Sequence, residues 1–532
     1  MTERIGIDFG TANTVVARWD DGRAEPVALP GYDVVREPVP GLLQRVVPSV
    51  IGYREVGARL SAVLGAGALT LPPDAGTVFR SMKSHLSGRV ADVPRRVGEH
   101  RISGRDAATE FLRGVTALAV LAIGADDLEI VATAPVETFD SYRDWLVTEV
   151  GADLPQARLR VVDEATAAAV GYGARMSPGD TFCVFDFGAG TLDVSVVRVR
   201  DADEAGSGAG VRVIAKAGAD LGGNHVDALL ARHVLERAGG PPRDPIRHNQ
   251  VFAALLREAE AAKVALSHTE TATVAVPGAR PVRIARDEFE RLLQQQDVLG
   301  RVNRTLRRVL DAAAGRGYPA GDLARVFLVG GTSLVPAVQD LLRLQFEPGV
   351  LHLDRPLEAV AVGAAGIAGG RELHDHIQHD YAIRHVDQAS GAYRFEPLVA
   401  AGTPYPTEEP VKSLTIRGVR SGQRRLGLAV YELAHATARD GGAGGADIEI
   451  VFDRDGGARA VGVTDQQRQE RSTLWLNEDS PTFLEADPPA QAGADRFLLE
   501  FRIDSQKRLT VSAFDLDRKT WLLQRRPVVR LA

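Results

Sequence analysis

The sequence predicts an α/β fold of duplicated design followed by an all-β region, and three observations carry that prediction. From Arg4 to about Gly370, short β-rich runs alternate with Ala- and Leu-rich helical segments. Beyond Arg371 the helical periodicity fades, and short alternating runs appear between turn signals. A strand ending in Asp-Phe-Gly occurs twice, its aspartates Asp8 and Asp186 lying 178 positions apart. In the first region the strand candidates are Arg4–Asp8, Leu128–Ala132, Thr181–Asp186, Leu192–Val199 and Arg325–Val329. The helix candidates are Glu137–Glu149, Ala165–Ala174, Val226–Glu236, Val251–Ser267, Arg286–Asp311 and Val335–Gln345. The polar, glycine-rich run Asp201–Gly210 reads as a loop. The β region offers Leu414–Arg417, Arg425–Glu432, Asp447–Phe452, Phe497–Ile503 and Arg508–Ala513, a spacing that suggests a compact antiparallel domain.

Composition narrows the function. The chain has 532 residues, 45% hydrophobic and 25% charged, enough for two to four folding units at roughly 100–200 residues each. A net charge of −7 and a pI near 6.0 argue against a broad nucleic-acid surface, which needs clustered basic residues. They give no reason to expect attraction to anionic membranes either. Uncharged apolar stretches such as Gly114 to Ala125 are far short of the ~20 residues that cross a bilayer. The N-terminus runs straight into a strand-like segment without a signal-peptide core. The single cysteine, Cys183, excludes an intramolecular disulfide and any zinc site built on several cysteines. The expected location is cytoplasmic. Four of the twelve histidines, His374, His376, His379 and His385, fall in HDHIQHDYAIRH between the two regions. With no carboxylate–histidine helical motif around them, they read as a solvated linker.

The repeated motif carries the chemistry. Ile5–Thr14 reads IGIDFGTANT and Val184–Asp193 reads VFDFGAGTLD. Small residues let backbone N–H groups approach phosphate oxygens, and an aspartate at a strand end can organise hydrated Mg²⁺. Either copy alone is equally a tight hairpin. Two matching copies suggest a duplicated fold gripping one polyphosphate from both sides. A third glycine element, VFLVGGTS at Val326–Ser333, either admits a planar ligand or simply turns a strand into a helix. Glu260, Lys263 and Ser267 share a helix face at i, i+3 and i+7.

Taken in order, seven segments resemble the Hsp70 chaperone family, a branch of the actin-like ATPases. They are GIDFGTANT, VVDEATAAAVGYG, FDFGAGTLD, AGADLGGNHVD, EAEAAKVALS, FLVGGTSLVP and EAVAVGAA. The resemblance implies an actin-like, duplicated ribonuclease H-like, two-lobed ATPase domain over 1–371, a polar linker over 372–388, and a β-sandwich substrate-binding-like domain over 389–532. It implies that Asp8, Asp186 and Asp193 hold Mg²⁺, and that Gly10, Thr11, Ala12, Asn13, Gly188, Ala189, Gly190 and Thr191 surround the phosphates of ATP. Gly222, Gly223, Gly330, Gly331 and Thr332 would complete the nucleotide site, with Glu260, Lys263 and Ser267 at the ribose and adenine. Lys83 would position the attacking water, with Glu164 opposite, and Asp186 and Thr191 would share the catalytic work. Pro135 and Arg143 match a relay between domains. The implied partners are unfolded or extended polypeptide clients, a J-domain protein and a nucleotide exchange factor, with no nucleic acid and no membrane.

Several positions depart from the family pattern. Ala189 replaces a loop glycine, Leu334 an arginine that stacks on adenine, Asn224 and Leu357 stand at acidic positions, and Asp163 replaces an asparagine while Arg160 is retained. The linker is polar and histidine-rich where the family's is leucine-rich, so its burial carries a desolvation cost, and nucleotide-driven docking is expected to use different contacts. FEPLVAAGTPYPTEEPV and FRIDSQKRLTVSAFDLDRKT resemble parts of the peptide-binding β domain. No helical lid segment follows them in the sequence, so peptide release is expected to be fast. A peptide cleft and a closed β domain docking on one dedicated partner both remain open readings, with an actin-like filament protein and a sugar kinase as further alternatives.

Overall fold

The computed structural model describes residues 2–531 except 57–58, 72–75, 87–92, 126, 136–139, 152–153, 155–156, 174–175, 200–209, 241–243, 375–376, 378–379, 387–392, 401, 406, 434–447, 453–457, 463–472, 477–481 and 505–507. Two compact units emerge. The first takes the bulk of the chain up to His374 together with the hairpin formed by Ile448–Phe452 and Ala458–Gly462. The second takes most of the remainder.

The first unit is built on two six-membered strand paths of matching design. One runs Arg158–Asp163, Leu128–Ala134, Glu3–Phe9, Asn13–Asp20, Leu42–Pro48 and Val34–Val39. The other runs Leu351–His352, Arg325–Val329, Thr181–Phe187, Leu192–Val199, Gly210–Ala219 and Glu372–His374. In each, an antiparallel hairpin lies beside a strand running parallel to its first arm: Glu3–Phe9 pairs with Leu128–Ala134, and Thr181–Phe187 with Arg325–Val329. The duplicated motif is therefore a duplicated topology, with the small-residue loop at the turn of each hairpin. Every residue of Thr181–Phe187 is buried, as expected of a strand covered on both faces.

Two helices, Glu164–Gly173 and Ala359–Ala368, cross against each other; Ala359–Ala368 packs on the first hairpin, and Glu164–Gly173 on Thr181–Phe187, Leu192–Val199 and Gly210–Ala219 of the second sheet. Their approach is so close that a Cβ on Gly363 would sit 1.6 Å from the Ala167 carbonyl oxygen. Glycine there fixes where Glu164, the first residue of its helix, enters the cleft.

Several expectations change in detail. The helix expected over Arg286–Asp311 is two, Arg286–Gln295 and Val298–Ala314. Asp297 between them adopts φ 57°, a left-handed conformation that aspartate tolerates. The break lets Phe289 and Leu293 on one helix, and Val298, Val302 and Leu306 on the other, all reach one core. Arg425–Glu432 is likewise two strands: Gln423–Leu428 pairs with Thr482–Ala490, and Val430–Leu433 with Asp380–Val386 and Thr473–Trp475. The loop Asp201–Gly210 lies outside the described residues except for Gly210, which opens a strand.

The stretch read as a solvated linker begins and ends in strands. Glu372–His374 extends the second sheet, pairing in parallel with Gly210–Arg212. His385 lies within Asp380–Val386, and Ile377 between them is fully buried, while His376 and His379 lie outside the described residues. Edge pairing uses main-chain N–H and C=O groups alone, so polar side chains do not prevent it.

Over 375–441 and 464–532 the second unit's described secondary structure is all strand. Its sheets run Tyr393–Val399, Asp380–Val386, Val430–Leu433, Thr473–Trp475; Lys412–Arg417, Asp495–Ile503, Arg508–Asp515, Thr520–Arg530; and Gln423–Leu428 with Thr482–Ala490. Leu428, Leu484, Phe497, Leu499, Phe501 and Val511 are core residues. Arg496, 1% exposed, is held there by ion pairs with Asp515 and Asp517.

Candidate nucleotide and hydrolysis site

Alternation along Glu3–Phe9 sends Ile5, Ile7 and Phe9 into the core and leaves Asp8 on the opposite face near the strand end. Thr181–Phe187 does the same for Asp186, whose cross-strand partner is Asp193. The loops that follow the two aspartates meet: a Cβ on Gly190 would lie 2.5 Å from Thr11 Oγ1. Ser49 braces the first loop, its hydroxyl donating to the Gly10 carbonyl at 2.7 Å and its amide to that of Ala12 at 2.9 Å. Asn13 begins the second arm of that hairpin.

The second loop is held from two sides. The Gly188 carbonyl accepts from the Gly223 amide at 3.0 Å and from Thr332 Oγ1 at 2.8 Å, and that of Ala189 accepts from the Asn224 amide at 2.8 Å. Thr191 O accepts from the Gly188 amide at 3.0 Å. Gly222 is required by contact, since a Cβ there would meet the Ala189 carbonyl oxygen at 2.3 Å. Gly330 and Gly331 start the short turn after Arg325–Val329, and the Gly330 amide donates to Pro356 O at 2.7 Å. Asn224, at a position where an acid is typical, donates instead to Ser81 Oγ at 2.9 Å, tying this helix start to the segment bearing Lys83. Leu357 packs beside a small cluster with Val15 and Ala361.

Lys83 and Glu164, 8% and 7% exposed, form a buried ion pair. Burial alone would lower the Lys83 pKa, but the charges of Glu164, Tyr142 and Asp8 outweigh it and hold the ammonium charged. Asp8 is pushed up to about 7, chiefly by burial and then by Glu164, against the pull of Lys83 and a 3.1 Å hydrogen bond from Thr133. Asp186 is raised well above the carboxylate range by burial, Glu164, Asp193 and Asp8. These four carboxylates crowd around one ammonium, a charge imbalance that fits an added cation. Among the described residues no three His, Cys, Asp or Glu are grouped closely enough to ligate a metal directly. Mg²⁺ keeps most of its waters and can be held through them. Asp8, Asp186 and Asp193 would hold it; once bound, it neutralises charge on the phosphates.

Lys263 turns inward and pairs with Asp227 at 2.8 Å, both nearly buried, and its Nζ would touch a Cβ on Gly223 at 2.8 Å. Burial pushes Asp227 up to about 7 despite that partner. On the same helix Ser267 Oγ donates back to the Lys263 carbonyl at 3.2 Å, while Glu260 lies within electrostatic reach of Arg80. Pro135 ends the Leu128–Ala134 strand, and Arg143 is 5% exposed.

Sequence reasoning gave no role to Ser49, Thr133, Asp227, Lys216 or Tyr142. Asp227 sits in the quoted glycine segment, where its burial was the missing fact. Lys216 pairs with Asp163 at 2.9 Å, with side chains 2% and 1% exposed, and nothing in their spacing announces it. The thiol of Cys183 is fully buried and pushed up to about 12, which leaves it inert.

Two matched loops thus meet over buried carboxylates in an α/β unit of duplicated topology. The Hsp70 protein family model matches residues 155–382. The chain is 30% identical over 393 residues to the chaperone protein HscA of Escherichia coli, covering 68% of this chain and 57% of that one. It is 32% identical over 405 residues to the chaperone protein dnaK3 of Synechococcus elongatus, covering 69% and 50%. The chain thus belongs to the Hsp70 family, whose nucleotide-binding domain has the actin-like ATPase fold, and it spans about half the length of these relatives.

Proposed function

We propose that this chain is an Hsp70-like chaperone that binds ATP with Mg²⁺ between its two loops, hydrolyses it, and couples the cycle to extended polypeptide bound by its second unit. The observation that carries the reading is the convergence of Thr11 and Gly190 beside the buried Lys83–Glu164 pair and Asp8. In this reading the backbone of 10–13 and 188–191 grips the phosphates, and Lys83 orients a water for attack. The water oxygen bonds to the γ-phosphorus as the bond to the β,γ-bridging oxygen breaks, giving ADP and phosphate, with the water's proton ending on phosphate. Positioning and charge stabilisation supply the rate.

The finer architecture belongs to the same proposal: a two-lobed domain over 1–371, a connecting stretch over 372–388 and a β-sandwich over 389–532. The main-chain pairing of Glu372–His374 with Gly210–Arg212 supports a connection that acts without a leucine-rich linker. J-domain and exchange-factor partners follow from the family. A cytoplasmic location is part of the same proposal and follows from the family; among the described residues no helix is long and apolar enough to cross a membrane.

The test is ATP turnover with Mg²⁺, with and without excess unfolded apolar peptide, using Lys83→Ala as the blank. Slow turnover stimulated by peptide is expected. Turnover indifferent to peptide would replace the client-binding reading by a docking unit for one partner. No turnover above the blank would overturn the ATPase reading.

A further inference from the structure

Tyr142 belongs to no motif that the sequence offers, yet its side chain is 1% exposed and stands at the hydrolytic cleft. Its ring centroid lies 5.8 Å from Lys83 Nζ, within range of a cation–π attraction that strengthens where water is excluded. Trp145, one turn along the same helix, packs against the ring with centroids 5.8 Å apart and fixes its plane. Phe9, beside Asp8, also packs against Trp145, with ring centroids 6.0 Å apart. The aromatic wall is thus continuous from the first loop's strand to Lys83.

The hydroxyl of Tyr142 is a different matter. It is buried and has no hydrogen-bond partner among the described residues, and the same holds for Nε and Nη2 of its neighbour Arg143. A buried hydroxyl without a partner is destabilising, so one left open beside an ion pair and an aspartate points to a partner supplied at work. Burial is the chief reason the phenol stays protonated, and Glu164 and Asp8 add to it against Lys83 and Arg143. The group is therefore neutral, polar and fixed, next to the ammonium assigned to water orientation.

We propose that Tyr142 is a further positioning residue of the hydrolytic site: its ring seats the Lys83 ammonium, and its hydroxyl is the hydrogen-bond partner of the attacking water. The inference rests on the ATPase reading above. Tyr142 neither takes nor gives a proton; the bonds made and broken are those of the hydrolysis already described.

Three readouts on Tyr142→Phe and Tyr142→Leu test it: steady-state ATP turnover, affinity for a fluorescent ATP analogue, and thermal unfolding of the nucleotide-free protein. For Tyr142→Phe the expected result is a kcat lowered about tenfold, the size of one ordinary hydrogen bond lost from the transition state. Nucleotide affinity should stay within about twofold. The unfolding midpoint should hold or rise, because an unsatisfied buried hydroxyl has been removed. Tyr142→Leu should in addition lower the midpoint by taking away the ring under Lys83. Parental kcat in Tyr142→Phe would overturn the inference while leaving the ATPase reading intact. A lowered midpoint in Tyr142→Phe would also overturn it, by showing that the hydroxyl serves the fold. Absence of turnover in the parent chain would overturn both readings.

Discussion

Replacing Lys216 by methionine removes the cation from a pair whose side chains are 2% and 1% exposed. Asp163 keeps one bond, because its Oδ1 still accepts the Thr166 amide at 2.8 Å and caps the helix that begins at Glu164. Its Oδ2 loses Lys216 Nζ at 2.9 Å. Breaking a buried ion pair from one side leaves an uncompensated charge in the interior and costs about 3–5 kcal/mol, whereas replacing both partners by neutral groups of similar size is often nearly neutral. Lys216→Met should therefore destabilise the first unit by about 3–5 kcal/mol. Adding Asp163→Asn should recover at least half of that, since the amide oxygen still accepts from Thr166 without burying a charge. Urea unfolding followed through Trp19 and Trp145, both in the first unit, reads the difference. Because Asp163 immediately precedes Glu164, turnover in Lys216→Met should also fall and return in the double variant. A loss below about 1 kcal/mol in the single variant, or no recovery in the double, would refute the reasoning.

Three further outcomes are expected. Lys83→Ala and Asp186→Asn should each abolish hydrolysis with the circular dichroism spectrum unchanged; normal turnover in a folded variant would remove these residues from the site. Gly222→Ala places a methyl group 2.3 Å from the Ala189 carbonyl oxygen, so the second loop must open and nucleotide affinity should drop by more than about tenfold, measured by titration with labelled nucleotide. The third concerns pH. Asp8 titrates at about 7 in the ligand-free protein against 3.8 ordinarily, so between those values the native state holds a proton that the unfolded chain has released. Its contribution is full below about pH 4 and is lost as the pH rises through about 7. The parent's unfolding midpoint should thus fall between about pH 4 and 7 more steeply than that of Asp8→Asn, level off relative to it above that, and Mg²⁺ with nucleotide should narrow the gap. Parallel pH profiles for parent and variant would contradict the assignment.

Much of this protein is legible along the chain because its determinants are local. Strand alternation placed Ile5, Ile7 and Phe9 inward and Asp8 at the cleft, and the repeat of Asp-Phe-Gly announced a topology that the two sheets then repeat. Turn chemistry was less legible, because it depends on what the flanking segments must reach. Asp297 breaks a helix so that two apolar faces meet one core, and Ala429 marks a change of strand partner. The histidine-rich stretch reads as solvated from its side chains, yet Glu372–His374 pairs through its main chain, about which side-chain polarity says little.

The sequence by itself determined the order of the repeated Asp-Phe-Gly segments, the two aspartates and the glycines that allow close backbone approach, since each is written within about ten consecutive residues. Only the tertiary structure decided which charges are buried together. Lys83 with Glu164, Lys216 with Asp163 and Lys263 with Asp227 are separated by 81, 53 and 36 positions, and Tyr142 reaches Lys83 from a separate helix. Such pairs carry no periodicity and no fixed spacing. Their strength comes from the exclusion of water, which exists only once the sheets and crossing helices have closed around them.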